Sequence, residues 1–166
     1  MEKMLKRLKK IMVVVAAAVM LSAGFATVAP KEASAHWADP EMNWAMNRGY
    51  ITADLRDSLA TRQDMWLIIT RVDNRSGGYN YNAARNYVIN RGISDGTRGT
   101  NWITRSEAAA MVLRMKYQNI KWDPEVGFAD TDRAAKSLGF FDGTRGNSFA
   151  TRAEVVSMLF RAKWNH

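Results

Sequence analysis

The sequence predicts an all-α fold made of three helix-loop-helix copies within residues 36–166, and three observations carry that prediction. A Thr-Arg dipeptide recurs at Thr61-Arg62, Thr104-Arg105 and Thr151-Arg152, spaced 43 and then 47 residues apart. Twelve residues before each threonine stands a glycine (Gly49, Gly92, Gly139), and nine residues after each arginine stands another arginine (Arg71, Arg114, Arg161). Between these fixed points apolar residues recur at helical spacing, as in helices that bury one face.

Residues 1–35 come first and stand apart. Lys3, Lys6, Arg7, Lys9 and Lys10 precede an apolar run from Ile11 to Met20, and the segment ends on the small residues Ala33-Ser34-Ala35. This is the pattern of a secretory signal peptide cut after Ala35, which makes His36 the first mature residue. The stretch from Ile11 to Ala29, interrupted by Ser22, Gly24 and Thr27, is marginal for an uncleaved anchor, so no membrane span is expected after cleavage. The remaining 131 residues (166 less 35) suit a single domain. With no cysteine, packing alone must stabilise it, which fits an exported protein of a monoderm bacterium.

The copies run over approximately 36–74, 79–118 and 126–164. In each first helix the apolar positions are Trp44 and Ala45; Ala83, Ala84, Tyr87 and Val88; and Ala134, Ala135 and Leu138. Each run stops at the glycine, which suits a left-handed C-cap, and the residues after it (Tyr50-Ile51, Ile93, Phe140-Phe141) are apolar, as where a chain folds back on the last turn. The second helix opens with a capping box, Thr61 to Asp64, Thr104 to Glu107 and Thr151 to Glu154, in which Asp64 is the shorter acid and reaches back less well. Behind the boxes lie the apolar faces Met65, Ile68, Ile69, Val72; Met111, Val112, Met115; and Val155, Met158, Leu159. One helix pair cannot bury such a face alone, so three pairs are expected to share a core about a pseudo-threefold axis.

Charge narrows the partners. Of 24 Lys/Arg and 16 Asp/Glu, six and two fall in residues 1–35, leaving 18 against 14 in the mature stretch. Without clustered basic runs this excludes nucleic acid as a natural partner. Arginine supplies all the mature Lys/Arg except Lys116, Lys121, Lys136 and Lys163, and its planar fork suits carboxylates and phosphates.

These residues resemble the S-layer homology repeats of bacterial surface proteins, whose signature is Thr-Arg-Ala-Glu after an Asp-Gly-Thr loop. Thr151-Arg152-Ala153-Glu154 matches it in full, Thr104-Arg105-Ser106-Glu107 closely and Thr61-Arg62-Gln63-Asp64 less so. Phe128-Ala129-Asp130 and Trp37-Ala38-Asp39 resemble the usual repeat openings. The resemblance implies a three-pronged bundle, a location at the cell wall or cell surface, and a pyruvylated secondary wall polysaccharide as ligand. The short loop Gly92-Ile93-Ser94-Asp95-Gly96-Thr97-Arg98-Gly99 is closer to repeats appended to wall-lytic amidases and muramidases of bacteria and phages, which leaves polysaccharide and peptidoglycan both open.

Capping explains the threonines and acids but not the arginines, because a positive charge at the positive end of a helix dipole is mildly unfavourable. Arg62, Arg105 and Arg152 therefore either bind an anion, helped by free N–H groups at the helix start, or pair with internal acids such as Asp95 and Asp142 and lock neighbouring copies together. Arg62 is the weaker candidate for a ligand, because its own copy lacks the Asp-Gly-Thr loop. In the loops at 95–99 and 142–146, Asp95, Gly96, Asp142 and Gly143 read as turn residues that also line inter-copy grooves by the resemblance, and Arg98 and Arg145 add donors. Trp102 and Phe149 stand two residues before Thr, where a ring either packs on the first helix or supports a sugar face.

Catalysis finds little support. His36 and His166, the two histidines, do not assemble a Ser-His-Asp grouping, and nothing in the pattern asks for a metal or cofactor. The expectation is a non-catalytic wall-binding module; the alternatives are a small peptidoglycan hydrolase, for which Glu41, Glu107, Glu125 and Glu154 are the available acids, or an adaptor for a separate wall enzyme.

Overall fold

The computed structural model describes residues 35–74, 80–120 and 123–164. The leader assigned to residues 1–35 thus lies outside the described residues except for Ala35, as does His166. The described residues form six helices: α1 Asp39–Asn47, α2 Arg62–Asn74, α3 Tyr81–Asn90, α4 Arg105–Lys116, α5 Ala129–Ser137 and α6 Arg152–Trp164. They contain no extended strand, and the fold is all-α.

The helix boundaries follow from the residues named above. The first helix of each copy ends in a paired bond set around its glycine. The Gly49 N–H donates to the Met46 carbonyl and that of Tyr50 to Ala45, with Gly92 and Ile93, then Gly139 and Phe140, repeating the pair at 2.8–3.2 Å. The three glycines have φ of +69°, +66° and +77°, the left-handed region where a side chain would be strained. All three capping boxes close. The Thr61, Thr104 and Thr151 N–H groups donate to Asp64, Glu107 and Glu154 at 3.0, 3.0 and 2.9 Å, so the shorter Asp64 reaches its cap as well as the glutamates do.

The apolar faces go where their periodicity sends them. Ala45, Ala84, Val88 and Ala135 of the first helices are fully buried, as are Met65, Ile69, Val72, Val112, Val155 and Leu159 of the second, together with Ile51, Ile93 and Phe140 after the glycines. The partners, however, cross between copies. The two helices of one copy do not pack on each other; α2 packs on α3, α4 on α5, and α6 on α1, while α2, α4 and α6 touch one another. Each second helix thus buries its face against the first helix of the next copy, and the last copy returns to the first.

The residues just before the Thr-Arg pairs close this cycle. The Ile103 N–H donates to the Ala60 carbonyl at 2.9 Å, Ala150 N–H to Ile103 at 2.9 Å, and Ala60 N–H to Ala150 at 3.0 Å. All three residues are fully buried, so each backbone donor and acceptor finds its partner inside the ring rather than in water.

Candidate functional site

The Thr-Arg pairs sit where one copy meets the next. The first two N–H groups of each second helix are already engaged: Arg62 and Gln63 donate to the carbonyls of Asn101 and Gly99, Arg105 and Ser106 to Ser148 and Gly146, and Arg152 and Ala153 to Ser58 and Arg56, all at 2.9–3.0 Å. The expectation of free N–H groups awaiting an anion is corrected by this arrangement. The loop that caps a helix start belongs to the following copy, and the last helix is capped by the loop of the first copy.

The same offset governs the arginine side chains. Arg62, only 4 % exposed, donates through Nε to the Thr97 carbonyl (2.9 Å), through Nη1 to Glu107 (2.8 Å) and through Nη2 to Asp95 (2.9 Å). Arg105, 5 % exposed, makes the equivalent set with the Thr144 carbonyl, Glu154 and both oxygens of Asp142, and its guanidinium lies 5.4 Å from the Phe141 ring. These two arginines lock neighbouring copies together. Burial works against ionisation of Asp95 and Asp142, but the Thr97 and Thr144 loop donors and the arginines outweigh it, holding both carboxyls below their ordinary value.

Arg152 differs. Its junction faces the loop of copy one, where Thr52 stands in the place of Asp95 and Asp142, each being the third residue after the glycine. Among the described residues its single ion-pair partner is Asp64, 3.7 Å away, and its Nε is buried with no hydrogen-bond partner. Asp64 is one methylene shorter than Glu107 and Glu154: one oxygen serves the Thr61 cap and the other accepts from the Tyr81 hydroxyl at 3.0 Å. Because each arginine uses the next copy's loop, the arginine deprived by the missing Asp-Gly-Thr loop is Arg152 and not Arg62.

Arg98 and Arg145 reinforce the loops from within. Both hold positive φ (+55° and +50°), a conformation that costs a non-glycine residue about 1 kcal/mol, and each side chain meets a capping glutamate, Glu107 or Glu154, at 3.0 Å. Gly96 and Gly143, two residues earlier, have φ of +70° and +75°, as their turn assignment requires.

Two of the junctions open as clefts. The first, about 570 Å³, contains Arg62, Asp95, Arg98 and Glu107 and is flanked by Met111 and Phe128. The second, about 260 Å³, contains Arg105, Asp142, Arg145 and Glu154 and is bounded by Trp37 and Arg161. The structure therefore gathers Arg62, Asp95 and Arg98 in one place and Arg105, Asp142 and Arg145 in another, with Arg152 at the third junction. Trp102 lines neither cleft; its backbone bridges Thr61 and the residue is 47 % exposed, while Phe149, bridged to Thr104, is 51 % exposed.

No family model and no curated protein matches the chain.

Trp37, Ser157 and Arg161 line the second cleft but were not read as site residues from sequence. Trp37 is 56 % exposed at its mouth, and the Ser157 hydroxyl, 4 % exposed, has no hydrogen-bond partner. Arg161 is exposed, and among the described residues no hydrogen bond or ion pair holds it, whereas its repeat equivalents Arg71 and Arg114 donate to the Tyr50 and Ile93 carbonyls at 3.1 and 3.5 Å. The nine-residue Arg-to-Arg spacing was the available signal for Arg161; that it alone lies open could not be read from the spacing. Among the described residues no cluster of three or more His, Asp or Glu side chains is arranged to hold a metal ion.

Proposed function

We propose that residues 36–166 are an exported, non-catalytic wall-binding module built as S-layer-homology-like repeats about a pseudo-threefold axis, holding an acidic group of wall polysaccharide or peptidoglycan at the junctions between copies. The cyclic packing and the backbone ring through Ala60, Ile103 and Ala150 support the repeat architecture. The observation that carries the binding is the vacancy opposite Arg152. At two junctions the Nη2 of the arginine holds a loop aspartate and its Nε a loop carbonyl; at the third, Thr52 stands in the place of the aspartate, and the Nε of Arg152 has no partner either. A ligand carboxylate or phosphate taking the place of that aspartate pairs with the Arg152 guanidinium as Asp95 and Asp142 pair with Arg62 and Arg105, through charge-assisted bonds. Arg161 and Trp37 in the second cleft add an open cation and a flat ring of the kind that stacks on a sugar.

Sedimentation with purified sacculi tests this directly. The wild-type protein is expected to pellet with the walls, and Arg152→Ala to stay in solution. Thr52→Asp, which supplies the carboxylate that the other copies carry, is expected to fold normally and also to lose binding. If both variants pellet as the wild type does, the reading is overturned. Binding lost after hydrofluoric acid strips the secondary polymer identifies polysaccharide as ligand; binding retained identifies peptidoglycan. Clearing of peptidoglycan by the pure protein in a zymogram refutes the non-catalytic assignment.

A further inference from the structure

The compact unit of the chain begins at His36. Its backbone nitrogen lies 2.8 Å from Oδ2 of Asp39, in the first turn of α1, and the other oxygen of Asp39 pairs with Arg56. Arg56 also holds Asp54 through two nitrogens, and its carbonyl caps the start of α6 by accepting from the Ala153 N–H. The imidazole joins the same loop: Nδ1 accepts from the Ala38 N–H at 3.2 Å, which leaves Nε2 to face Asp57 at 3.3 Å. A single residue thus ties the start of α1 to the loop that caps α6, at the place where α1 and α6 pack together and the cycle of copies closes.

As an amide, the His36 N–H offers Asp39 one neutral donor. Asp39 is a carboxylate whose charge Arg56 and the His36 N–H favour, holding its carboxyl below the ordinary value, and a charged donor in place of the amide makes a stronger bond. We propose that hydrolysis of the Ala35–His36 bond creates that donor: the α-ammonium released on His36 pairs with Asp39 and closes the α1–α6 seam. Water adds across the amide, the C–N bond breaks, Ala35 leaves as a carboxylate carrying the water oxygen, and the His36 nitrogen takes both of the water's hydrogens as it becomes an ammonium. The enzyme implied is a peptidase that accepts small side chains at the first and third positions before the cut, here Ala35 and Ala33. The inference rests on residues 1–35 being a cleaved leader. It adds a role for the new terminus, including the placing of Trp37, whose ring lies 5.4 Å from that of His36 and lines the second cleft.

Two measurements test it separately. Mass and N-terminal analysis of the exported protein is expected to place His36 first; a retained leader or a different first residue overturns both the cleavage site and the leader reading. Thermal melts of the 36–166 unit with a free or an acetylated α-amine test the pairing. The free amine is expected to melt about 2–4 °C higher at low salt, a gap that closes in Asp39→Asn. Equal melting of the free and acetylated forms overturns the pairing while leaving the cleavage site standing.

Discussion

Arg152 stands 3.7 Å from Asp64, whereas Arg62 and Arg105 each hold a glutamate and a loop aspartate within hydrogen-bond reach. One methylene accounts for half of this difference, since Asp64 reaches its cap at the same length as the glutamates but cannot extend to the arginine as well. Asp64→Glu is therefore expected to bring Arg152 into direct contact and raise stability by about 0.5 kcal/mol, the scale of a partly exposed pair, as read by urea denaturation. Under the proposed function, the same variant should pellet less with sacculi, because the arginine is then partly satisfied from within.

Removing the saturated arginines has the opposite character. Arg62→Ala leaves Glu107, itself 8 % exposed, with Arg98 as its remaining cation and leaves Asp95 without its partner across the junction. A loss of about 3 kcal/mol is expected, the scale of a buried pair broken on one side. Arg152→Ala should cost under about 1 kcal/mol, since little is disconnected. Denaturant midpoints of the two variants measured side by side check the contrast.

Acid should weaken the junctions between copies. Asp95 and Asp142 have folded-state pKa values below the ordinary 3.8, so the stability they contribute is complete above that value and is lost as pH falls through the lower, folded one. The melting temperature is expected to be insensitive to these groups above about pH 5 and to fall below about pH 4. Asp142→Asn should flatten part of that acid limb while lowering the neutral plateau.

Gly92 and Gly96 separate two costs. Both hold positive φ, +66° and +70°, but a Cβ at Gly92 meets open space, whereas one at Gly96 runs into the Ile89 side chain. Gly92→Ala is expected to cost about 1 kcal/mol from backbone strain. Gly96→Ala should cost more, and shortening the neighbour with Ile89→Ala should recover only the difference. A double-mutant cycle followed by thermal melts measures it.

Much of the fold was legible because its determinants are local. The glycines at 49, 92 and 139, the capping boxes and the 3.6-residue apolar spacing each fix a few neighbouring residues, and each lies where those rules place it. The pairing of Arg62 with Asp95 and of Arg105 with Asp142 was one of two readings that the residue types allowed. What sequence could not supply is the offset between copies: nothing local states that an arginine meets the loop after its own, so the loss of Asp-Gly-Thr in copy one was charged to Arg62 when its effect falls on Arg152. Trp37 and Arg161 meet in one cleft for the same reason, being brought together only when α6 returns to α1.

The ring of backbone bonds through Ala60, Ile103 and Ala150 has an odd number of members and no free end. A linear solenoid can shed a terminal unit and keep the rest, because each unit leans only on its neighbours. Here each copy is neighbour to both others, so deletion of any one exposes two faces and leaves a donor and an acceptor in the ring unmatched. The seam between residues 39–47 and 152–164 joins segments far apart in sequence, and it can form only after the last helix has been made. The other two junctions, α2 on α3 and α4 on α5, join neighbouring stretches of chain, so this one seam alone makes the first helix wait for the last.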